Sequence, residues 1–308
     1  MPLIEVSHLQ KNFGAFQAVK DVSFSVHEGD VFGFLGPNGA GKSTTIRCIL
    51  SLMKPTAGDI RFFNKSIKEN RKEVLTKVGC IIEKPDFYKY LSAYRNLDIF
   101  ARISGKQIAK KEIYAMLDFV GLSGRERDKV SGFSHGMKQR LGIAQTLLHK
   151  PDIIILDEPT TGLDPQGIID VRNLILRLRD EQKRTVLLSS HQLSEIEIIA
   201  NRMVIINQGK TIVEGEVKAL LEKQSMNIEF FVENEMAFEQ TIRASFPGLS
   251  FRKTLENTFH IEMIEDLRLP LVQALVNAGC GLKSIVPKRS LEDFFIKMTD
   301  KNALEKHA

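Results

Sequence analysis

Apolar and polar positions follow two rhythms along this chain. "LIEVSHL" and "AVKDVSFSV" alternate apolar and polar residues, the pattern of half-exposed strands. "DVFGFLG", "DIIILDEP" and "TVLLSSH" are short apolar runs, which suits strands buried on both faces. Between them the period becomes helical. "GKSTTIRCILSLM" places Ile46, Ile49, Leu50 and Met53 on one face, residues 94 to 119 are helical with a break near Ser104-Gly105, and "PQGIIDVRNLILRLRDE" and "LSEIEIIA" follow. "RMVIINQGKTIVEGE" predicts two strands joined by a turn at Gln208-Gly209. Strand and helix alternate through the middle. The predicted class is therefore α/β, a mostly parallel sheet covered by helices, with the strands before residue 30 as an antiparallel addition at its edge.

The texture changes after about residue 224. "NIEFFVE", "LSFRKT", "TFHIEM" and "LKSIV" suit strands, with a turn at Glu256-Asn257. "MAFEQTIRASF" and "LRLPLVQALVNAG" suit helices. The order β-α-β-β-α-β predicts a small α+β, ferredoxin-like unit. A terminal helix, "SLEDFFIKM", is expected to start at Ser290 with Asp293 three residues on. The expected division is residues 1–224 and 225–308.

Composition narrows the partners. With 43 Lys and Arg against 38 Asp and Glu, the net charge is +5 over 308 residues. That balance suits an anionic ligand or surface and does not call for nucleic acid. The three cysteines, Cys48, Cys80 and Cys280, lack metal-type spacing and read as reduced thiols. The N-terminus lacks signal-peptide character, and no apolar run approaches the roughly 20 residues of a membrane span.

The chemistry starts at "GPNGAGKS", residues 36 to 43, which fits G-x-x-x-x-G-K-[ST] between a predicted strand and a predicted helix. Its glycines let backbone amides wrap a phosphate at a helix N-terminus. Lys42 is expected to reach the β- and γ-phosphates and the Ser43 hydroxyl to ligate Mg²⁺. A second metal carboxylate is expected at the end of a buried strand, and "IIILDE" supplies Asp157, with Glu158 beside it as a general base. A further anion site starts at "SGFSHGMKQRLGIAQ", where Ser134, His135 and Gly136 open a helix and Lys138, Gln139 and Arg140 are expected on its outer side.

Together these motifs resemble the ATP-binding-cassette (ABC) ATPases over roughly residues 3 to 220. Gly36, Pro37, Asn38, Gly39, Ala40, Gly41, Lys42, Ser43 and Thr44 are similar to the Walker A loop, and Ile153 to Glu158 to Walker B and the catalytic glutamate. "TGLD", ending at Asp164, is similar to the D-loop, His191 to the switch histidine, and Phe13 to the aromatic that stacks on adenine. "FSHGM" resembles the signature loop, usually written LSGGQ. The resemblance implies a P-loop ABC ATPase fold with a helical signature subdomain, bound ATP and Mg²⁺, and a head-to-tail dimer. In that dimer Ser134 and Gly136 would complete the partner's ATP site, with Asp164 near the same interface. Two residues depart from the pattern: His135 replaces the first glycine of the signature pair, and Glu83 stands where the Q-loop has glutamine, as a candidate Mg²⁺ or water ligand.

"IIEKPDFY" and "FSHGMKQRLGIAQ" are also similar to exporter ATPases whose permease is a separate chain, such as bacitracin and lantibiotic self-protection pumps. That resemblance implies an ATPase subunit at the cytoplasmic face of the membrane, with the segment holding Phe87, Tyr88 and Tyr90 docking the permease. An importer ATPase, or a soluble ABC protein without a permease, is the alternative. The soluble ABC proteins usually carry paired cassettes or a long coiled-coil insertion, and a kinase or GTPase would lack the signature and D-loop motifs.

Overall fold

The buried runs come together at the centre of one sheet. The computed structural model describes residues 2–105, 107–222, 226–263 and 267–288, together with residues 291, 294, 295 and 298. The first ten strands are β1 (Pro2–Phe13), β2 (Phe16–His27), β3 (Val31–Leu35), β4 (Ala57–Phe62), β5 (Lys65–Ser66), β6 (Val78–Ile81), β7 (Ile153–Asp157), β8 (Thr185–Ser190), β9 (Arg202–Asn207) and β10 (Lys210–Glu216). They form a sheet in the order β5-β4-β1-β2-β10-β9-β3-β8-β7-β6. Strands β6, β7, β8, β3 and β9 run parallel, whereas β1, β2, β4 and β5 pair antiparallel. Every residue of β3, β7 and β8 is buried, as expected of strands covered on both faces.

The antiparallel addition is larger than the sequence predicts. Besides the β1–β2 hairpin it includes β4 and β5, from a stretch whose short pattern "AGDIRF" buries only alternate positions. Helices α1 (Lys42–Ile49) and α2 (Ile67–Leu75) precede β6. The helical stretch from 94 to 119 resolves into α3 (Ala93–Ile103) and α4 (Lys110–Phe119), parting just beyond Ser104-Gly105, where Gly105 takes a positive φ of 69°. Helix α5 (His135–Leu147) follows a single 3-10 turn at Val130–Gly132. Helices α6 (Pro165–Asp180) and α7 (Leu193–Ile199) flank β8. The apolar interior gathers around Phe24, Phe32 and Phe34, with ring centroids 5.2 and 5.6 Å apart, and runs out to Ile155, Leu187 and Val204.

The register decides where chemistry can occur. Leu35 pairs with Ser190, and Asp157 with Ser189, so β3, β7 and β8 end side by side. The loops leaving those carboxyl ends carry the phosphate-loop motif, Glu158 and His191. In an open parallel sheet this is the edge where ligands bind.

Helix α8 (Val217–Glu222) spans the point where one compact unit closes at Val217 and a second begins at Lys218. The second unit contains β11 (Met226–Val232), α9 (Glu235–Ser245), β12 (Phe251–Leu255), β13 (Thr258–Met263), α10 (Arg268–Asn277) and β14 (Leu282–Lys288). Its four strands form an antiparallel sheet in the order β12-β13-β11-β14. The core holds Phe230, Phe238, Phe259 and Ile261, with Phe238 and Phe259 stacked at 4.3 Å. Of the terminal helix, Leu291, Phe294, Phe295 and Met298 are helical; Ser290 and Asp293 lie outside the described residues.

Candidate active site

A pocket of about 470 Å³ opens where β3, β7 and β8 end. Asn38, Gly39, Gly41, Lys42, Ser43 and Thr44 line one side, and Glu158, Thr161 and His191 the other. The loop's shape follows from its sequence. Gly41 caps α1 at φ 102°, and a Cβ there would lie 2.7 Å from the Ala18 carbonyl oxygen. Only glycine fits both the left-handed backbone and the close approach. Gly36, Pro37 and Ala40 do not line the pocket; their backbone groups hold the loop in shape. The Lys42 ammonium donates to the Gly36 carbonyl at 2.7 Å and the Pro37 carbonyl at 3.4 Å, and the Ala40 amide donates to Pro37 at 3.1 Å.

Lys42 is 7 % exposed, and its Nζ lies 3.8 Å from Glu158 Oε1. Burial lowers its pKa, while the carboxylates of Glu158 and Asp157 oppose that shift. A cation at the mouth of the glycine loop is placed to meet an anionic ligand in the pocket it lines. The concave glycine loop, the helix N-terminus and the buried ammonium together fit a polyphosphate.

Asp157 closes β7 and is 4 % exposed. The hydroxyl of Ser189, on neighbouring β8, donates to Asp157 Oδ1 at 2.5 Å and accepts the Glu158 amide at 2.9 Å. Glu158 has φ 50°, a left-handed conformation that non-glycine residues seldom hold without support. Its carboxylate accepts from the Thr161 hydroxyl at 3.1 Å, and His191 Nδ1 lies 2.5 Å from Oε2. Glu158 is thus fixed by its backbone, by a threonine and by a histidine. The hydroxyl of Ser43 and the carboxylate of Asp157 are hard oxygen donors of the kind that Mg²⁺ takes, usually with several waters.

Several residues named from sequence fall elsewhere. The aromatic lining the pocket is Phe16, not Phe13. The two face each other across the β1–β2 turn, and the Lys11 ammonium lies 5.1 Å from the centre of the Phe13 ring. Phe16 follows "FGA", and its place over the pocket depends on hairpin register, which local sequence does not reveal. Glu83, at φ 65°, pairs with Arg47 on α1 instead of lining the pocket. It borders a neighbouring hollow together with His135, Lys138, Lys89 and Thr161.

Ser134 caps α5, its hydroxyl accepting from the Met137 amide at 3.2 Å, and Gly136 is buried within 3.5 Å of Gly167 Cα, measured from an ideal Cβ. His135 is exposed. The expectation for the next turn is corrected. Lys138 and Gln139 both border the hollow, yet Gln139 is only 8 % exposed, and the guanidinium of Arg140 turns inward to the Gly121 carbonyl at 2.9 Å and Asp170 at 3.7 Å. Helix α5 packs against α3, α4, α6 and β6, and eight of its 13 residues are buried, so little outer face remains. Asp164 is the N-cap residue of α6, next to Pro165, and does not line the pocket.

Comparison with known proteins places these features in a family. The ABC transporter family profile matches residues 19–161. An uncharacterized ABC transporter ATP-binding protein of Bacillus subtilis, YhcH, is 40% identical over 96% of both chains. The bacitracin transport ATP-binding protein BcrA of Bacillus licheniformis is 39% identical over 96% of this chain and 97% of its own. Among solved structures, the ADP conformation of MJ1267, an ATP-binding cassette of an ABC transporter, superposes with a TM-score of 0.65 at 27% identity. That match covers 71% of this chain and 94% of MJ1267.

Proposed function

The chain belongs to the ABC transporter ATP-binding proteins and is an ATPase of that family, and from that premise we propose how its residues hydrolyse ATP and what the hydrolysis drives. The loop amides from Asn38 to Thr44 and the ammonium of Lys42 hold the β- and γ-phosphates. Ser43 and Asp157 would hold Mg²⁺, which would neutralise charge on the phosphates. Glu158 accepts a proton from the attacking water, and His191 keeps its carboxylate aimed at the pocket. The observation that carries this reading is the placement of Glu158, locked by Ser189, Thr161 and His191, on the wall facing the phosphate loop.

Ser134, Gly136 and Asp164 lie outside that pocket, as they would if their ligand belonged to a second copy of the chain. ATP then closes a head-to-tail homodimer and hydrolysis reopens it. The motion is passed to a separate permease at the cytoplasmic face of the membrane. Among the described residues no helix is long and apolar enough to cross a bilayer. The permease docks on the segment after Glu83. Tyr88 and Tyr90 are 43 % and 70 % exposed there, while the buried Asn96 clamps the Tyr88 backbone at 2.9 and 3.1 Å.

Export is the favoured direction, supported by the 39% identity to the bacitracin transport protein over nearly the whole chain. Two experiments test the proposal. Glu158→Gln in the purified chain should cut turnover by about 10²- to 10⁴-fold while ATP binding persists; undiminished turnover contradicts the assignment. Cells carrying the chain with its permease should accumulate less transported compound, and Lys42→Ala should abolish the difference. Greater accumulation would reverse the assigned direction.

A further inference from the structure

The turn at Gln208-Gly209 has no part in the mechanism above, yet it lies against the phosphate loop. Gln208 and Gly209 take φ of 49° and 77° and join β9 to β10, with Asn207 paired to Lys210. Two successive residues at positive φ make a tight hairpin turn, with glycine in its preferred second place. The tip does not end in solvent: Gly209 is buried. Its amide donates to the Ala40 carbonyl at 3.1 Å, and its own carbonyl accepts the Lys20 and Asp21 amides at 2.8 and 3.0 Å.

The fit around this tip is close. An ideal Cβ on Gly209 would lie 3.0 Å from both the Ala18 carbonyl oxygen and the Lys20 nitrogen. The same Ala18 oxygen crowds Gly41, and the Ile206 carbonyl oxygen, on β9, would lie 2.6 Å from an ideal Cβ on Gly36. The phosphate loop is thus seated at Gly36, Ala40 and Gly41 on backbone atoms of β2, β9 and the turn. At Ala40 the contact is a hydrogen bond, and that bond fixes a direction. The peptide joining Ala40 to Gly41 is planar, with its C=O and N–H on opposite sides. With the carbonyl tied to the turn, the Gly41 amide faces away from it, and Gly41 lines the pocket.

We infer that Gly209 is a positioning residue for phosphate binding: its amide holds the Ala40 carbonyl and so aims the Gly41 amide at the phosphates of the nucleotide. Gly209 itself does not line the pocket. The inference rests on the reading of that pocket as the ATP site. Loss of the contact weakens the grip on the phosphates, whereas Glu158 keeps its bonds to Thr161 and His191. The defect therefore falls on Kd and KM and spares kcat.

The test uses the full-length purified chain, titrated with ATP without Mg²⁺ for binding and with Mg²⁺ for turnover. Gly209→Ala adds the crowded Cβ and pushes the turn off β2. Kd and KM for ATP should rise about tenfold, the scale of one hydrogen bond to a charged group, with kcat within about threefold. Gly29→Ala is the control for backbone strain. Gly29 has φ 79°, precedes the far end of β3, and a Cβ there meets nothing within 4 Å. That variant carries the same strain and should leave Kd within about twofold. In the parent, saturating ATP should slow hydrogen exchange at the Gly209 amide, because the contact and the ligand support each other reciprocally. This last measurement needs no variant and decides the matter if Gly209→Ala does not fold. The inference is overturned if Gly209→Ala binds ATP within about twofold of the parent, or if Gly29→Ala weakens binding as much. It is also overturned if exchange at Gly209 is unchanged by ATP. A Lys42→Ala protein that binds ATP as tightly as the parent would instead refute the pocket assignment, so the two failures are distinguishable.

Discussion

Replacing Ser189 by alanine should damage both stability and catalysis, although Ser189 lies beneath the pocket lining. The side chain is fully buried. Its hydroxyl donates to the carboxylate of Asp157 and accepts the amide of Glu158. Alanine removes both contacts and leaves no room for water beyond the volume of one oxygen atom. Losing a hydrogen bond to a charged group costs about 1.5–3 kcal/mol, and a buried amide left unpaired costs about 1–3 kcal/mol. The two share one atom and do not add in full, so about 2–4 kcal/mol is expected. For a unit closing at Val217, each kcal/mol lowers Tm by about 2–4 °C, so Tm should fall by roughly 4–16 °C. The amide bond also supports Glu158 at φ 50°. Without it the carboxylate shifts, and a displacement of about 1 Å can cost up to 100-fold in rate. Calorimetry and steady-state ATPase assays on the same preparation check both effects. A Tm within about 1 °C of the parent together with turnover within twofold would refute the role given to Ser189.

Three further outcomes are expected. A chain ending at residue 224 should still bind ATP, because every nucleotide motif precedes that point; a folded, soluble truncation that fails to bind would contradict the two-domain proposal. His135→Gly should leave ATPase activity within about threefold, since His135 is exposed while Ser134 forms the cap; a hundredfold loss in a folded protein would make the histidine a working part of the partner's site. In the second unit, the ammonium of Lys253, then the amide of Asn257, hold the Glu235 carboxyl below its ordinary value of 4.5. Because the native value is the lower one, this contact stabilises fully above 4.5 and is lost as pH falls through the depressed value. Denaturant unfolding of Glu235→Gln should therefore show a shallower loss of stability below 4.5 than the parent, and an unchanged acid profile would remove the contact from the account.

The site was legible where a local motif fixes the backbone. Residues 36–44 announce their own turn, because glycine spacing, lysine and the following helix all lie within nine positions. Asp157, Glu158 and His191 were legible because buried apolar strands point to them, and parallel register brings strand ends together. What was missed depends on register across distant segments. Phe16 rather than Phe13 lines the pocket because of how the β1–β2 hairpin folds back. Ser189 reads as one more small residue in "TVLLSSH", and only its pairing with Asp157 reveals its task. Gln139 and Arg140 look exposed by polarity, yet α5 is enclosed by its neighbours: Gln139 is 8 % exposed and Arg140 donates to the Gly121 carbonyl. Glu83 could be named as a departure from pattern, but its partnership with Arg47 came from the packing of α1. Strands β4 to β6 went unread because each is short and their burial is uneven.

The central claim is that ATP closes two copies of this chain and that Glu158 must act before they part. Size-exclusion chromatography of Glu158→Gln with and without ATP tests it most directly. The account predicts a stable dimer with ATP and Mg²⁺, a monomer without nucleotide, and no ATP-driven dimer when Lys42→Ala is added. A Glu158→Gln protein that binds ATP yet elutes as a monomer at saturating nucleotide would contradict it.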